Sequence, residues 1–262
     1  EGYKGIAKLT EGTDITLNAM IVPTAVNIYS KKLPFGAVKG DQKAFLTQLQ
    51  SDLAASGINW IDLSEPFAAC DKTTQLYYRT DHHWTSDAAL LAYQTYNKTL
   101  GLDDSTTYSK NMLSDSFKGT LSASSGLRTS ETDEIYAYLP DQVTDYTVSL
   151  TAENTKSASV FDVQSLSTKS QYNVFFGGNH PEVVIDSASE SKKVLMVFKD
   201  SYANCFVPFL IPDYARIIMI DPRYYTEDIS ETIQSNGVTD ILFLYNANTA
   251  AEDHSLYQLT AQ

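Results

Sequence analysis

Histidine is scarce in this chain of 262 residues, and two of its four copies stand side by side. They fall in Tyr78-Arg79-Thr80-Asp81-His82-His83-Trp84-Thr85, a charged and aromatic cluster just ahead of a helix start. Three chemistries are open to it. A loop can use Asp and His merely to satisfy backbone groups. A metal site can use Asp81 with His82 or His83 and a distant ligand, although adjacent residues rarely aim at one ion and no HExxH-type spacing is present. A base with its orienting acid is the third: Asp81 and His83 are two positions apart, so in an extended or turning segment they share a side. The carboxylate then holds one ring nitrogen and leaves the other free to move a proton.

A base needs a nucleophile to activate. Ser201, in Val197-Phe198-Lys199-Asp200-Ser201-Tyr202-Ala203-Asn204, follows an apolar strand and opens a helical stretch. That position lies at the carboxyl edge of a parallel sheet, where open α/β folds bind ligands. The backbone N–H of Ser201 would sit among the free donors of the helix start, which suit an oxyanion. The plain alternative is an ordinary N-cap made by Ser201 or Asp200. No GxSxG elbow is present, so the usual α/β-hydrolase signature is missing. A third cluster, Phe175-Phe176-Gly177-Gly178-Asn179-His180-Pro181, can turn tightly and aim the Asn179 amide at an oxyanion, or it can be a simple loop turn.

The elements that must position these groups read as α/β. Leu17–Val22 is an apolar run of strand length, stopped by Pro23. Residues 41–56 form an amphipathic helix with Asp41 as cap and Gly57 as stop, and Ile58–Leu63 is then a second strand. A helix over 86–100 starts at Thr85 or Ser86 and ends at Gly101. Toward the C-terminus, Val194–Phe198, Ile217–Ile220 and Ile241–Tyr245 are unbroken apolar runs of the kind buried on both faces. A helix from about 201 and another over 227–235 connect them, giving βαβαβ and a doubly wound sheet. Between the halves the character changes. Thr147–Thr151 alternates with period 2, and Gly119, Gly126, Pro140 and Gly177-Gly178 punctuate the stretch. The domain reading is therefore an α/β core from 1–100 and 190–262, with 101–189 a β-rich insertion or subdomain.

A hydrophobic content of 43% suffices for a sizeable core and excludes a disordered tail or a coiled coil. The net charge of −13 leaves no basic cluster for nucleic acid, the longest basic runs being the pairs Lys31-Lys32 and Lys192-Lys193. Attraction to an anionic membrane surface is likewise not expected. Cys70 and Cys205 lack CxxC spacing and read as free thiols. The chain opens at Glu1 without a secretory signal, so a leader or membrane anchor outside this stretch is expected.

Taken together these blocks resemble the DHHW family of bacterial proteins. Asp81-His82-His83-Trp84 is the naming motif, Lys199–Asn204 with Pro208-Phe209-Leu210 looks like the second block, and Asp221-Pro222-Arg223-Tyr224-Tyr225 like the third. Ile21-Val22-Pro23-Thr24 fits the early strand end. That family is similar to the acetyltransferases that decorate alginate. The resemblance implies an SGNH-hydrolase-like (flavodoxin-like) fold: three layers around a parallel sheet, with a circularly permuted motif order. It implies Asp81 as orienter, His83 as base and Ser201 as nucleophile, with no metal and no cofactor. The resemblance assigns no role to Asn179, Tyr202 or Arg223; from the residues themselves, Asn179 joins Ser201 and Tyr202 as candidate oxyanion donors, and Arg223 in the third block is a candidate substrate contact. The implied reaction is O-acyl, most simply O-acetyl, transfer or hydrolysis on an extracytoplasmic polysaccharide. Its partners are an acyl donor and a carbohydrate acceptor, with room for a partner protein in the cell envelope. A catalytically silent glycan-binding or scaffold protein is the competing expectation.

Overall fold

The computed structural model describes residues 1–102, 105–126, 130–142 and 144–261. Ten strands are found among them: β1 (Thr16–Val22), β2 (Asn59–Trp60), β3 (Tyr108–Phe117), β4 (Asp133–Pro140), β5 (Tyr146–Leu150), β6 (Thr155–Ser157), β7 (Glu182–Ser187), β8 (Val194–Lys199), β9 (Arg216–Ile220) and β10 (Asp240–Asn246). Eight of them make one sheet in the order β2-β1-β10-β8-β9-β7-β5-β6, while β3 and β4 pair separately as an antiparallel ribbon.

The parallel part runs from β2 to β9. Its strands are apolar on both faces because both faces are covered. Along β8, Leu195 and Val197 enter one core while Met196 and Phe198 enter the other. Along β10, Leu242 and Leu244 alternate in the same way with Ile241 and Phe243. Period-2 side-chain alternation thus divides each strand between two helical layers. The first core receives Ala88, Ala89, Ala92, Tyr93 and Tyr96 from the helix Ser86–Leu100. The second receives Leu46 and Leu53 from the helix Gln42–Ala54, and Ile229 and Ile233 from the helix Ile229–Ser235.

Local chemistry sets the ends of these helices. Asp41 accepts from Ala44 N and Thr85 from Ala88 N, as N-caps do. Gly101 closes the helix Ser86–Leu100 in a left-handed conformation with φ of 65°, which costs a glycine little.

Beyond the parallel core, the β-rich stretch joins the same sheet. β7 runs antiparallel to β9, and β5 and β6 follow as an antiparallel meander. The stretch 101–189 supplies the β3–β4 ribbon and also β5, β6 and β7, which extend the core sheet through the pairing of β7 with β9. The alternating, half-exposed pattern of Thr147–Thr151 suits a strand near the end of the sheet with one wet face. The expected strand Ile58–Leu63 pairs only over Asn59–Trp60, because Asp62 accepts from Ser64 N and turns the chain into the helix Ser64–Ala69. The expected helix after residue 200 is two 3₁₀ stretches, Ser201–Cys205 and Val207–Asp213. Pro208 and Pro212 bring no N–H to it and discourage a longer α-helix. Two helices with no sequence expectation, Gly2–Leu9 and Ser255–Thr260, pack together. Close approach explains Gly2, where a Cβ would fall 2.6 Å from Tyr257 N. No helix among the described residues is long and apolar enough to cross a membrane.

Candidate active site

β8 ends at Lys199, and the chain turns at Asp200 into Ser201. Asp200 fixes this turn from both sides. Its Oδ1 accepts from Tyr202 N at 2.9 Å, and its Oδ2 accepts from the Asn246 backbone N–H at 2.9 Å, at the end of β10. Ser201 is thereby presented at the carboxyl edge of the parallel strands, half-buried, with its backbone N–H unpaired among the described residues.

The second wall of the site is the loop before the helix Ser86–Leu100. Trp84 anchors it: the buried indole donates from Nε1 to the Tyr202 carbonyl at 2.8 Å. Tyr202 answers by donating its hydroxyl to the His82 carbonyl at 2.5 Å. These two bonds tie the Asp81–Trp84 turn to the Ser201 turn. Between them the His83 Nε2 accepts from the Ser201 hydroxyl at 2.8 Å. The other ring nitrogen, Nδ1, donates to Asp81 Oδ1 at 2.5 Å, so the carboxylate assigns the tautomer. His83 lies stacked on Tyr172, with 3.6 Å between ring centroids and 7° between planes.

Asp81 is itself held. Its Oδ1 also accepts from His83 N at 2.9 Å, and its Oδ2 accepts from Thr120 N at 2.8 Å. Burial opposes its ionisation, but the bonds from His83 and from the Thr120 and His83 backbone outweigh it and keep the carboxyl well below the usual range. Gly119 is required by this contact, since a Cβ there would lie 2.2 Å from the Asp81 side chain. One step behind, buried Asp133 on β4 accepts from Thr80 N and Thr80 Oγ1, both at 2.7 Å, and from Arg79 N at 3.0 Å.

The Phe175–Pro181 cluster forms the third wall. Phe176 has φ of 62° and Gly177 φ of 77°, a left-handed turn that glycine tolerates and phenylalanine does not favour. His180 braces it, donating from Nε2 to the Phe176 carbonyl at 2.8 Å while Nδ1 meets Glu153. The Asn179 Oδ1 accepts from the buried Lys199 ammonium at 2.9 Å and from Asn204 Nδ2 at 3.2 Å. An ammonium can only donate. It therefore fixes the Asn179 amide with its oxygen inward and its N–H₂ group outward. Burial lowers the Lys199 pKa to about 8, with Asp221, whose Oδ2 is 3.8 Å away, acting against that fall.

The structure thus brings Asp81, His83 and Ser201 together. The remaining expected residues divide. The Tyr202 N–H is spent on Asp200 Oδ1, so it is not available as an oxyanion donor. Asn179 keeps its Nδ2, exposed at the surface. Arg223 forks onto Asp221, donating from Nε at 2.8 Å and from Nη2 at 2.6 Å, which raises its pKa further through those bonds. The side-chain donors of Asp81, His82 and His83 all lie within 4.8 Å of one another. In this arrangement they are engaged by one another, by Ser201 and by Thr120, the last accepting or donating at His82 Nδ1 at 2.6 Å. Both cysteines are free; burial pushes the Cys205 thiol up to about 12. Site roles for Tyr172, Asp133, Gly119 and Asn204 were not read from the sequence, where Gly119 stood only as loop punctuation. Only Asn204 lay in a motif that had drawn notice.

Comparison with known proteins supports the fold and identifies the family. Among solved structures, a DHHW family protein from Eubacterium siraeum is 24% identical with a TM-score of 0.81, over 98% of this chain and 87% of that one. Bacillus cereus PatB1, solved with a sulfonyl adduct, is 21% identical with a TM-score of 0.78, over 97% of this chain and 89% of that one. The O-acetyltransferase domain of Pseudomonas putida AlgJ is 13% identical with a TM-score of 0.58, over 99% and 87%. No curated protein matches the sequence. A family described as the SGNH hydrolase-like domain of the acetyltransferase AlgX matches residues 4–169, more than half of the chain and including Asp81 and His83. The chain belongs to this SGNH-like acetyltransferase family.

Proposed function

We propose that this protein is a serine-dependent O-acyltransferase or esterase, acting on O-acetyl groups of a polysaccharide outside the cytoplasm. The observation that carries the reading is the chain Ser201 Oγ, His83 and Asp81, joined at 2.8 Å and 2.5 Å. Such an array activates a hydroxyl that is inert on its own. Membership in an acetyltransferase family supports the acyl chemistry. The polysaccharide and the extracytoplasmic setting rest on the resemblance to enzymes that acetylate exported alginate.

The reaction runs in two halves. The Ser201 oxygen attacks the carbonyl carbon of the acetyl ester as His83 Nε2 takes its proton. The oxyanion is held by the Ser201 N–H and the Asn179 amide. The tetrahedral intermediate collapses, the donor alcohol leaves with the proton from His83, and acetyl-Ser201 remains. A sugar hydroxyl or water then attacks, again losing its proton to His83. The new ester or acetate departs as His83 returns the proton to the Ser201 oxygen, which restores the free hydroxyl. Asp81 holds the ring in place and stabilises the imidazolium in each half.

The test is turnover of a small acetyl ester, with a glycan acceptor present and absent. The wild type is expected to release or transfer acetyl, and Ser201→Ala to lose that activity. Equal rates in the two proteins would refute the assignment. A wild type that binds glycan yet turns over nothing would favour a binding or scaffold protein.

A further inference from the structure

The segment after β1 stands apart from the rest of the surface. No Asp or Glu occurs between Asp14 and Asp41, although the chain carries 32 of them and a net charge of −13. The charges in that interval are Lys31, Lys32 and Lys39, all exposed. Between the lysines the chain runs Leu33-Pro34-Phe35-Gly36-Ala37-Val38. Phe35 is 108% exposed and Val38 98% exposed, beyond every other large apolar residue described. Isolated apolar residues at a surface need no explanation, but a fully exposed aromatic with lysines on both sides of it in the chain does.

The tip is built to project. Ala37 N donates to the Pro34 carbonyl at 3.1 Å, closing a turn with Phe35 at its corner, and Gly36 takes the φ of 79° that this turn demands. The base of the segment is fixed. The Tyr29 hydroxyl accepts from Leu76 N at 3.0 Å, its ring meets Tyr77 edge-on, and the Lys32 ammonium sits 4.1 Å above the ring. Tyr77 in turn donates to the Pro23 carbonyl. An apolar tip on a pinned base is a surface offered outward.

We propose that residues 31–40 form a docking tip for an anionic lipid surface. Phe35 and Val38 enter the boundary between headgroups and acyl chains, and Lys31, Lys32 and Lys39 meet the phosphates. A convex tip with two apolar side chains suits a yielding lipid interface. A protein partner would need a matching pocket. The whole-chain charge argues against membrane attraction, but screening confines that repulsion to about 8 Å at physiological salt, so the local charge decides. The tip follows β1, and Ser201 follows β8, so both lie at the carboxyl edge of the parallel strands. A molecule docked this way turns the Ser201 edge toward the lipid.

The test is co-sedimentation of the purified chain with vesicles of phosphatidylcholine alone and of an equimolar mixture with phosphatidylglycerol. Binding to the mixed vesicles is expected to exceed binding to neutral ones by about tenfold or more, and to weaken as salt rises. Phe35→Ser with Val38→Ser is expected to reduce it about tenfold, and neutralising the three lysines to glutamine to abolish the preference for anionic lipid. All five side chains are exposed, and Lys32 also lies over the Tyr29 ring, so circular dichroism and thermal unfolding are used to show that the variants keep the fold. No binding to either vesicle, or binding that these variants leave unchanged, would overturn the proposal. So would equal binding to neutral and anionic vesicles.

Discussion

The imidazole of His83 lies flat against the ring of Tyr172, 3.6 Å between centroids. Tyr172 comes from a 3₁₀ turn, Gln171–Val174, in the stretch between the two halves of the core. That stretch therefore supplies a wall of the site as well as surface. The stack limits rotation of the imidazole and places a π face against the imidazolium formed in each half-reaction. Tyr172→Ala is expected to lower kcat about tenfold, the worth of one such contact, while Tyr172→Phe keeps most of the rate. Steady-state kinetics on an acetyl ester checks both.

Asp81 has a role that charge alone does not fill. Asparagine in its place can offer an N–H to Nδ1 and favour the wrong tautomer. Asp81→Asn is expected to keep the fold and lose about 10² to 10⁴ in kcat. Thermal unfolding beside the kinetics separates lost chemistry from lost structure.

Behind Asp81 stands Asp133, whose carboxylate receives the backbone N–H groups of Arg79 and Thr80. Removing it leaves the buried Thr80 N–H without a partner. Asp133→Ala is expected to cost about 3 kcal/mol of stability and to lower kcat with little change in KM. Denaturant unfolding and kinetics on one preparation would show both.

Lys199 makes a pH prediction. Its ammonium is buried, and its pKa falls from 10.5 to about 8. Between those values the unfolded chain holds the proton more tightly than the folded one, so this group makes stability rise with pH. Lys199→Met removes that contribution. The difference in urea midpoint between wild type and variant should change in the wild type's favour from pH 8 to pH 10.

Much of the frame was legible in advance. The apolar runs at 194–198, 217–220 and 241–245 announced β8, β9 and β10, because a strand covered on both faces needs apolar residues at every position. Asp41, Thr85 and Gly101 marked helix ends through capping, a local signal. The meeting of His83 with Ser201 was expected from two motifs 118 residues apart, and the structure places their side chains in contact. What stayed hidden was decided by tertiary contact. Nothing local tells Tyr172 from the other 16 tyrosines of the chain, since its role is set by what it faces. Asp133 reads as any polar residue at a strand start, and only its burial against Thr80 gives it a task. The antiparallel course of β5–β7 depends on pairing with β9, which alternation in one strand cannot name. The Tyr202 N–H, an expected oxyanion donor, is taken by Asp200, one of the two expected caps.

The central claim is a covalent acyl-serine at Ser201. Its most direct measurement is mass spectrometry of the protein quenched in acid during turnover of an activated acetyl ester. The account predicts one added acetyl group on the peptide that contains Ser201, absent from Ser201→Ala and formed far more slowly in a variant lacking the His83 imidazole. Acetyl found on another residue at turnover-competent rates, or continued turnover with Ser201 unmodified, would contradict it.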